Sequence, residues 1–199
     1  MLWACARPPA GSDAPTGPTR LPILDPDYGR AEALPDAVAL GAAVDRLALA
    51  LADGGRFELD AALAAGPVVL IWIGGAEHEA VSAWVRDLAA ALPELDQRAT
   101  TLVLVRSLPP ESALRWATDL HLQAAVASDV DGALAGLLGA PPEGPSDLDF
   151  AVLIVVDGLV AYRKLGGRRP ELDELLTVLD GEAERLRCCP GACVGDPCE

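Results

Sequence analysis

Residues 67–88, PVVLIWIGGAEHEAVSAWVRDL, are the stretch of sequence that decides the fold. The apolar run 67–73 is rich in β-branched residues and ends at Gly74-Gly75, which predicts a strand buried on both faces. Apolar residues then recur at helical spacing and predict an amphipathic helix: Ala80, Val81, Trp84, Val85 and Leu88. Open α/β sheets place their chemistry where a helix begins at the carboxyl end of a central strand. Residues 74–80 are therefore the first candidates for a functional site.

A β-hairpin is predicted directly before this unit. Leucine alternates with alanine over residues 47–52, Asp53-Gly54-Gly55 forms a turn, and residues 56–59 alternate again. Asp60 is predicted to cap a short helix over residues 61–65.

The predicted elements that follow complete a sandwich. They are a strand at 100–105, a helix at 111–120, a short strand at 123–128, a small helix at 133–138, strands at 150–156 and 159–163, and a helix from Pro170 through Leu179. A parallel βαβ half, an antiparallel hairpin and a final helix predict an α/β fold. We expect a thioredoxin-like three-layer sandwich with a mixed central sheet and an N-terminal hairpin extension.

Composition divides the chain and excludes several functions. The Pro/Gly-rich arm 1–33 and the cysteine-rich tail 187–199 flank the predicted domain 34–186, and both are expected to be disordered. The net charge of −15 opposes nucleic-acid binding. The sequence has no apolar run long enough to span a membrane. A protein partner or a homodimer stays open.

We expect a cytoplasmic location. Leu2-Trp3-Ala4-Cys5 resembles the end of a bacterial lipoprotein signal but lacks its basic and apolar flanks. Lipid anchoring through Cys5 is the alternative if the true start lies upstream of Met1.

Three stretches together resemble the peroxiredoxin-like (AhpC/TSA, redoxin) branch of the thioredoxin-fold superfamily. They are ADGGRFELDAALAAGPVVLIW (52–72), ASDVDGALAGLLGA (127–140) and FAVLIVVDGLVAYR (150–163). In that family the catalytic cysteine lies in the first turn of the helix after the central strand, where the helix dipole stabilises a thiolate.

The resemblance implies a degenerate site at Gly74, Gly75, Glu77, Ala80 and Asp149. Glu77 and Ala80 take the positions of sulfur, and Asp149 falls where relatives carry a cis-proline or an activating arginine. A peroxidase needs an anionic sulfur together with a cation or donors that polarise the peroxide. The family's peroxidase mechanism therefore does not carry over to these residues.

Acidic and histidine side chains near this turn have simpler roles. Glu77 and Glu79 complement the helix dipole, at about 0.3–1 kcal/mol each. The alternative is a weak metal or acid/base site with His78, which is disfavoured because consecutive helical residues point in different directions. His121, between two leucines, is expected to be a neutral, hydrogen-bonded structural residue.

The C-terminal tail is where reactive chemistry is expected. It contains four of the five cysteines, namely Cys188, Cys189, Cys193 and Cys198. Their spacing fits a thiolate site for Zn²⁺ or Cu⁺ loosely, and two local disulfides are the alternative if the protein is exported. The tail could also fold back to supply sulfur to the Gly74-Gly75 turn, or be a frayed terminus.

We interpret the chain as a redoxin-like protein with a non-catalytic core and a thiol-rich tail for redox or metal handling. The alternatives are a divergent antioxidant oxidoreductase that uses the tail cysteines and a protein-binding scaffold without chemistry.

Overall fold

The computed structural model describes residues 38–44, 46–74, 79–139, 150–166 and 168–188. Its elements in chain order are β1 (Ala48–Leu51), β2 (Arg56–Glu58), α1 (Leu59–Leu63), β3 (Val68–Ile73), α2 (Glu79–Ala90), α3 (Leu92–Asp96), β4 (Thr101–Arg106), α4 (Pro110–Asp119), β5 (Ala125–Ser128), α5 (Ala133–Leu137), β6 (Phe150–Val156), β7 (Leu159–Leu165) and α6 (Leu172–Cys188).

The strands form one mixed sheet in the order β2-β1-β5-β4-β3-β6-β7. Strands β3, β4 and β5 are parallel, whereas β6 runs antiparallel to β3, and β1 runs antiparallel to β5. The predicted thioredoxin-like α/β fold with its N-terminal hairpin is therefore confirmed.

Helices cover both faces of this sheet. One apolar core joins it to α2, α3, α4 and α6, and the other joins it to α1 and α5. Strand β3 contributes to both cores, because alternate side chains of a strand point to opposite faces. Its six residues are at most 2% exposed, which explains why residues 68–73 are apolar without interruption.

Four local expectations are corrected. Helix α1 begins at Leu59 with Glu58 as its N-cap, so Asp60 lies inside the helix and does not cap it. An additional helix, α3, follows α2, and its Pro93 occupies the first turn, where a missing N–H costs nothing. Helix α6 begins at Leu172 and extends nine residues beyond the predicted end at Leu179. Ala80 is exposed on α2 and does not belong to its buried stripe.

His121 has a structural role, but through its backbone. It has a positive φ of 55° directly after α4, and its side chain is exposed. The N–H groups of His121 and Leu122 donate to the carbonyls of Thr118 and Ala117, which closes the helix end in a Schellman motif. The structural role of His121 therefore comes from its backbone, and not from a hydrogen-bonded imidazole as we expected.

Candidate functional site

The candidate site lies at one end of the sheet, which we call the strand-end corner. It consists of the last residues of β3, β4 and β5, the residue after each of them, and the first residue of β6: Ile73, Gly74, Arg106, Ser107, Ser128, Asp129 and Phe150. Strand register brings them together, because Ile73 pairs with both Arg106 and Phe150, and Arg106 pairs with Ser128. Gly74 thus lies where the sequence predicts the functional turn.

A buried cation, Arg106, is the main feature of the corner that the sequence analysis missed. It ends the apolar strand β4, yet only 6% of the residue is exposed. Its guanidinium carbon lies 4.9 Å from the centroid of the Trp116 ring on α4. A desolvated cation over an indole face gains about 2 kcal/mol. The signal in the sequence was a charged residue at the end of an otherwise apolar strand.

Two other tryptophans close the corner. The Trp72 indole N–H donates to Ser107 Oγ at 3.1 Å. Trp84 on α2 contacts Phe150 at a centroid distance of 5.1 Å and donates its indole N–H to the Pro170 carbonyl at 2.9 Å. These contacts hold the start of β6 and the segment before α6 against the central unit.

Asp129 is buried at the corner and is used structurally. Its two carboxylate oxygens accept the backbone N–H groups of Leu134 and Ala135 at 3.0 and 2.8 Å. Its own N–H donates to the Arg106 carbonyl at 2.8 Å. Burial raises the pKa of this carboxyl and outweighs the backbone hydrogen bonds that lower it. The carboxylate fastens α5 to the end of β5.

The hydroxyl groups of the corner do not form an activated nucleophile among the described residues. Ser107 Oγ accepts the Trp72 N–H, and Ser128 Oγ donates to the Leu108 carbonyl at 2.6 Å. A serine nucleophile needs an adjacent base, commonly a histidine. The chain has two histidines; His121 is exposed at the end of α4, and His78 lies outside the described residues.

A second polar cluster joins β7 to the first turn of α6. Glu174 accepts the Tyr162 hydroxyl at 2.7 Å and an Arg168 N–H at 2.8 Å. Lys164 is buried beside them, and burial lowers the pKa of its amine while Glu174 opposes this shift. The cluster anchors the beginning of α6.

The predicted site residues are only partly described. Gly74 follows β3 at the corner, Ala80 and Glu79 are exposed in the first turn of α2, and Cys188 is the last residue of α6. The remaining candidates lie outside the described residues: Cys5, Gly75, Glu77, His78, Asp149, Cys189, Cys193 and Cys198.

Within the described ranges, no three or more His, Cys, Asp or Glu side chains are grouped so that they could hold a metal ion. None of the described helices combines the length and apolar character needed to cross a bilayer.

Peroxiredoxins are among the solved structures that share this fold. Peroxidoxin BcpB from Mycobacterium tuberculosis is 18% identical, with a TM-score of 0.64 over 71% of this chain and 96% of that chain. The yeast mitochondrial 1-Cys peroxiredoxin is 15% identical, with a TM-score of 0.66 over 76% of this chain and 79% of its own. The Plasmodium vivax 2-Cys peroxiredoxin is 14% identical, with a TM-score of 0.64 over 75% and 84%.

No curated protein matches this sequence. The model of the AhpC/TSA family matches residues 40–163, which include the seven strands of the described ranges except the last two residues of β7. The matched range contains all three stretches that carry the resemblance, from their first to their last residues. This chain therefore belongs to the AhpC/TSA family.

Proposed function

We propose that the core of this protein is a non-catalytic peroxiredoxin-like domain and that the cysteines at 188–198 handle redox equivalents or a thiophilic metal ion. One observation carries the proposal: the segment that matches the family, residues 40–163, contains no cysteine. Peroxide reduction by this family's chemistry requires a thiolate that attacks the peroxide. A domain without sulfur at the corner has no group for that step.

The chemistry of the corner supports this proposal. Arg106 supplies positive charge, but the cation is packed on Trp116 and buried. The carboxylate of Asp129, at the same corner, accepts the N–H groups of Leu134 and Ala135 in α5. Charge stabilisation without a nucleophile can bind an anion, but it cannot split a peroxide bond.

The decisive experiment compares peroxide consumption by the full chain and by a variant with all five cysteines replaced by serine, with dithiothreitol as reductant. We expect peroxide consumption with the cysteine-free variant to be no faster than in the same dithiothreitol buffer without protein. Faster consumption by that variant would refute the proposal of a non-catalytic core. Glu77→Cys in the cysteine-free background tests whether sulfur at the position implied by the family resemblance restores turnover.

The full chain and a variant that lacks only the four tail cysteines separate the possible roles of the tail. Turnover by the full chain that is lost in Cys188→Ser, Cys189→Ser, Cys193→Ser and Cys198→Ser together would indicate the divergent oxidoreductase. Zinc or copper bound to protein purified under reducing conditions, and lost in that variant, would indicate metal handling. A reduced, metal-free and unreactive tail would leave a protein-binding scaffold. The proposed role belongs in the cytoplasm, where thiols stay reduced.

A further inference from the structure

Strand β7 (Leu159–Leu165) is one edge of the sheet, next to β6. An edge strand presents N–H and C=O groups that point away from the sheet and can pair with another chain. The last six residues of β7 are at most 7% exposed, so few of these groups face water. The beginning of this edge is covered by residues 38–44, which we call the edge strap.

The edge strap hydrogen-bonds to β7 as an added antiparallel strand would. The Val160 carbonyl accepts the Gly41 N–H at 2.8 Å, and the Val160 N–H donates to the Ala42 carbonyl at 3.0 Å. Ala43 and Leu159 form an antiparallel bridge next to these bonds. The backbone donor and acceptor of Val160 are therefore both occupied by the strap.

Both ends of the edge strap are anchored on the domain. At one end the Val44 N–H donates to the Gly158 carbonyl at 2.8 Å, and Val44 is only 3% exposed in the core that contains α5. At the other end the Val38 N–H donates to the Leu137 carbonyl of α5 at 2.9 Å, and the Val38 carbonyl accepts a guanidinium N–H of Arg163 from β7. The strap thus connects the edge strand to α5.

A tight turn gives the edge strap its shape. The Ala42 N–H donates to the Ala39 carbonyl at 3.1 Å, Gly41 has a φ of 74°, and Leu40 is not among the residues with positive φ. This is the pattern of a type II turn, which needs glycine at its third position. The glycine that makes the turn is also the residue whose N–H meets Val160, so the turn and the pairing with β7 depend on each other.

A second copy of this chain is the partner that fits an uncovered β7. The bridge to the strap shows that this edge accepts an antiparallel strand. Two copies of β7 can pair in that way about a twofold axis, so that the outward groups of each copy satisfy those of the other. Leu159, at the bridge, is 48% exposed and offers apolar surface to the second copy.

We propose that the edge strap takes the place of a second copy on β7 and so prevents two chains from joining their sheets there. When the strap opens, the buried N–H and C=O groups of Val160 lose their partners, and pairing with another β7 restores them. This inference does not depend on the proposed non-catalytic core or on the cysteine tail.

Two proline substitutions in neighbouring positions of the full chain test the proposal. Gly41→Pro removes the N–H that Val160 accepts and forbids the positive φ, so it opens the strap. Leu40→Pro is the matched control, because proline is favoured at the second position of a type II turn. Sedimentation equilibrium over a concentration series, with dithiothreitol and about 0.15 M salt to screen the acidic chains, measures association. Hydrogen exchange of the Val160 amide reports whether the strap is closed.

We expect Gly41→Pro to associate about a hundredfold more tightly than the wild type, because an open fraction of about one tenth enters once for each of the two chains. Leu40→Pro should associate no more tightly than the wild type. The Val160 amide should exchange faster in dilute Gly41→Pro than in the wild type, and more slowly again once the chains associate. Wild-type association of Gly41→Pro would overturn the proposal. Unchanged Val160 exchange would also overturn it, because the turn would then not hold the strap.

A disulfide across the bridge separates pairing at β7 from association elsewhere. Ala43→Cys and Leu159→Cys are added to Gly41→Pro in a chain whose five native cysteines are replaced by serine. Facing antiparallel residues lie about 4.5–5.5 Å apart at Cα, which a disulfide spans. On oxidation the two thiols lose two protons and two electrons to diamide, which becomes its hydrazine.

The oxidised, closed form should return to the association of the wild type, whereas the reduced form should keep that of Gly41→Pro. Tight association of the oxidised form would place the contact on another surface and overturn the proposal. If Gly41→Pro does not fold, Gly41→Val replaces it, because a β-branched residue also disfavours the positive φ but keeps the N–H. Peroxide turnover by the cysteine-free chain would refute the non-catalytic core without changing these results.

Discussion

Replacing Asp129 by asparagine tests the most strongly buried carboxylate of the corner. Asp129 is 1% exposed, and its oxygens accept N–H groups of Leu134 and Ala135, which are themselves fully buried. Asparagine keeps the shape and one acceptor, but its amide group directs a donor at the second N–H. One buried N–H without an acceptor costs about 1–3 kcal/mol. Removal of a desolvated charge offsets part of this cost, so we expect Asp129→Asn to lose about 1–2 kcal/mol of unfolding free energy.

The pH dependence has a definite sign. Burial raises the folded-state pKa of Asp129 above its ordinary value of 3.8. A carboxyl with a raised pKa binds its proton more tightly in the folded protein, so its contribution to stability is complete below 3.8 and is lost as the pH rises through the folded-state pKa. The advantage of the wild type over Asp129→Asn should therefore decrease from acidic to neutral pH.

Urea unfolding at a series of pH values measures both effects. Asp131→Asn is the matched control, because Asp131 lies two residues away and is exposed; its effect should stay within about 0.5 kcal/mol. If Asp129→Asn is as stable as this control, or if the wild-type advantage grows with pH, our account of the buried Asp129 carboxylate is wrong.

Three further substitutions test the frame of the fold, each by urea unfolding. Gly66→Ala should lose about 1–3 kcal/mol, because an added Cβ would lie 2.2 Å from the Ala99 carbonyl oxygen; a neutral effect would contradict this contact. Gly181→Ala should gain about 0.5–1 kcal/mol, because the glycine is inside α6 with open space around it; a loss would show that α6 is not helical there. Arg98→Ala should lose about 0.5–1 kcal/mol, and less in high salt, because its ion pair with Asp180 is partly exposed; a salt-independent loss would point to packing instead.

The predicted strands and hairpins agree closely with the structure because their signals are local. The apolar run 67–73 became β3, and the Asp157-Gly158 turn joins β6 to β7 as the hairpin pattern predicts. Asp157 and Gly158 both have positive φ, which this turn type demands and few residue pairs accept.

The position of a functional site at Gly74 stays a prediction from the sequence. The strand register shows that four strands, β3 to β6, meet beside this residue. Sequence reasoning did not identify Arg106, because a single arginine at the end of a strand is ordinarily exposed, and only the packing of α4 shows that this one is buried against Trp116.

The order of strands, turns and glycines, and the absence of cysteine between residues 6 and 187, were determined by the sequence alone. These properties depend on neighbours in the chain, which composition and periodicity record directly. The burial of Arg106 and the hydrogen bonds of Asp129 to α5 were decided only by the tertiary structure. Each depends on contacts between residues far apart in the chain, and no local pattern records which distant surfaces meet.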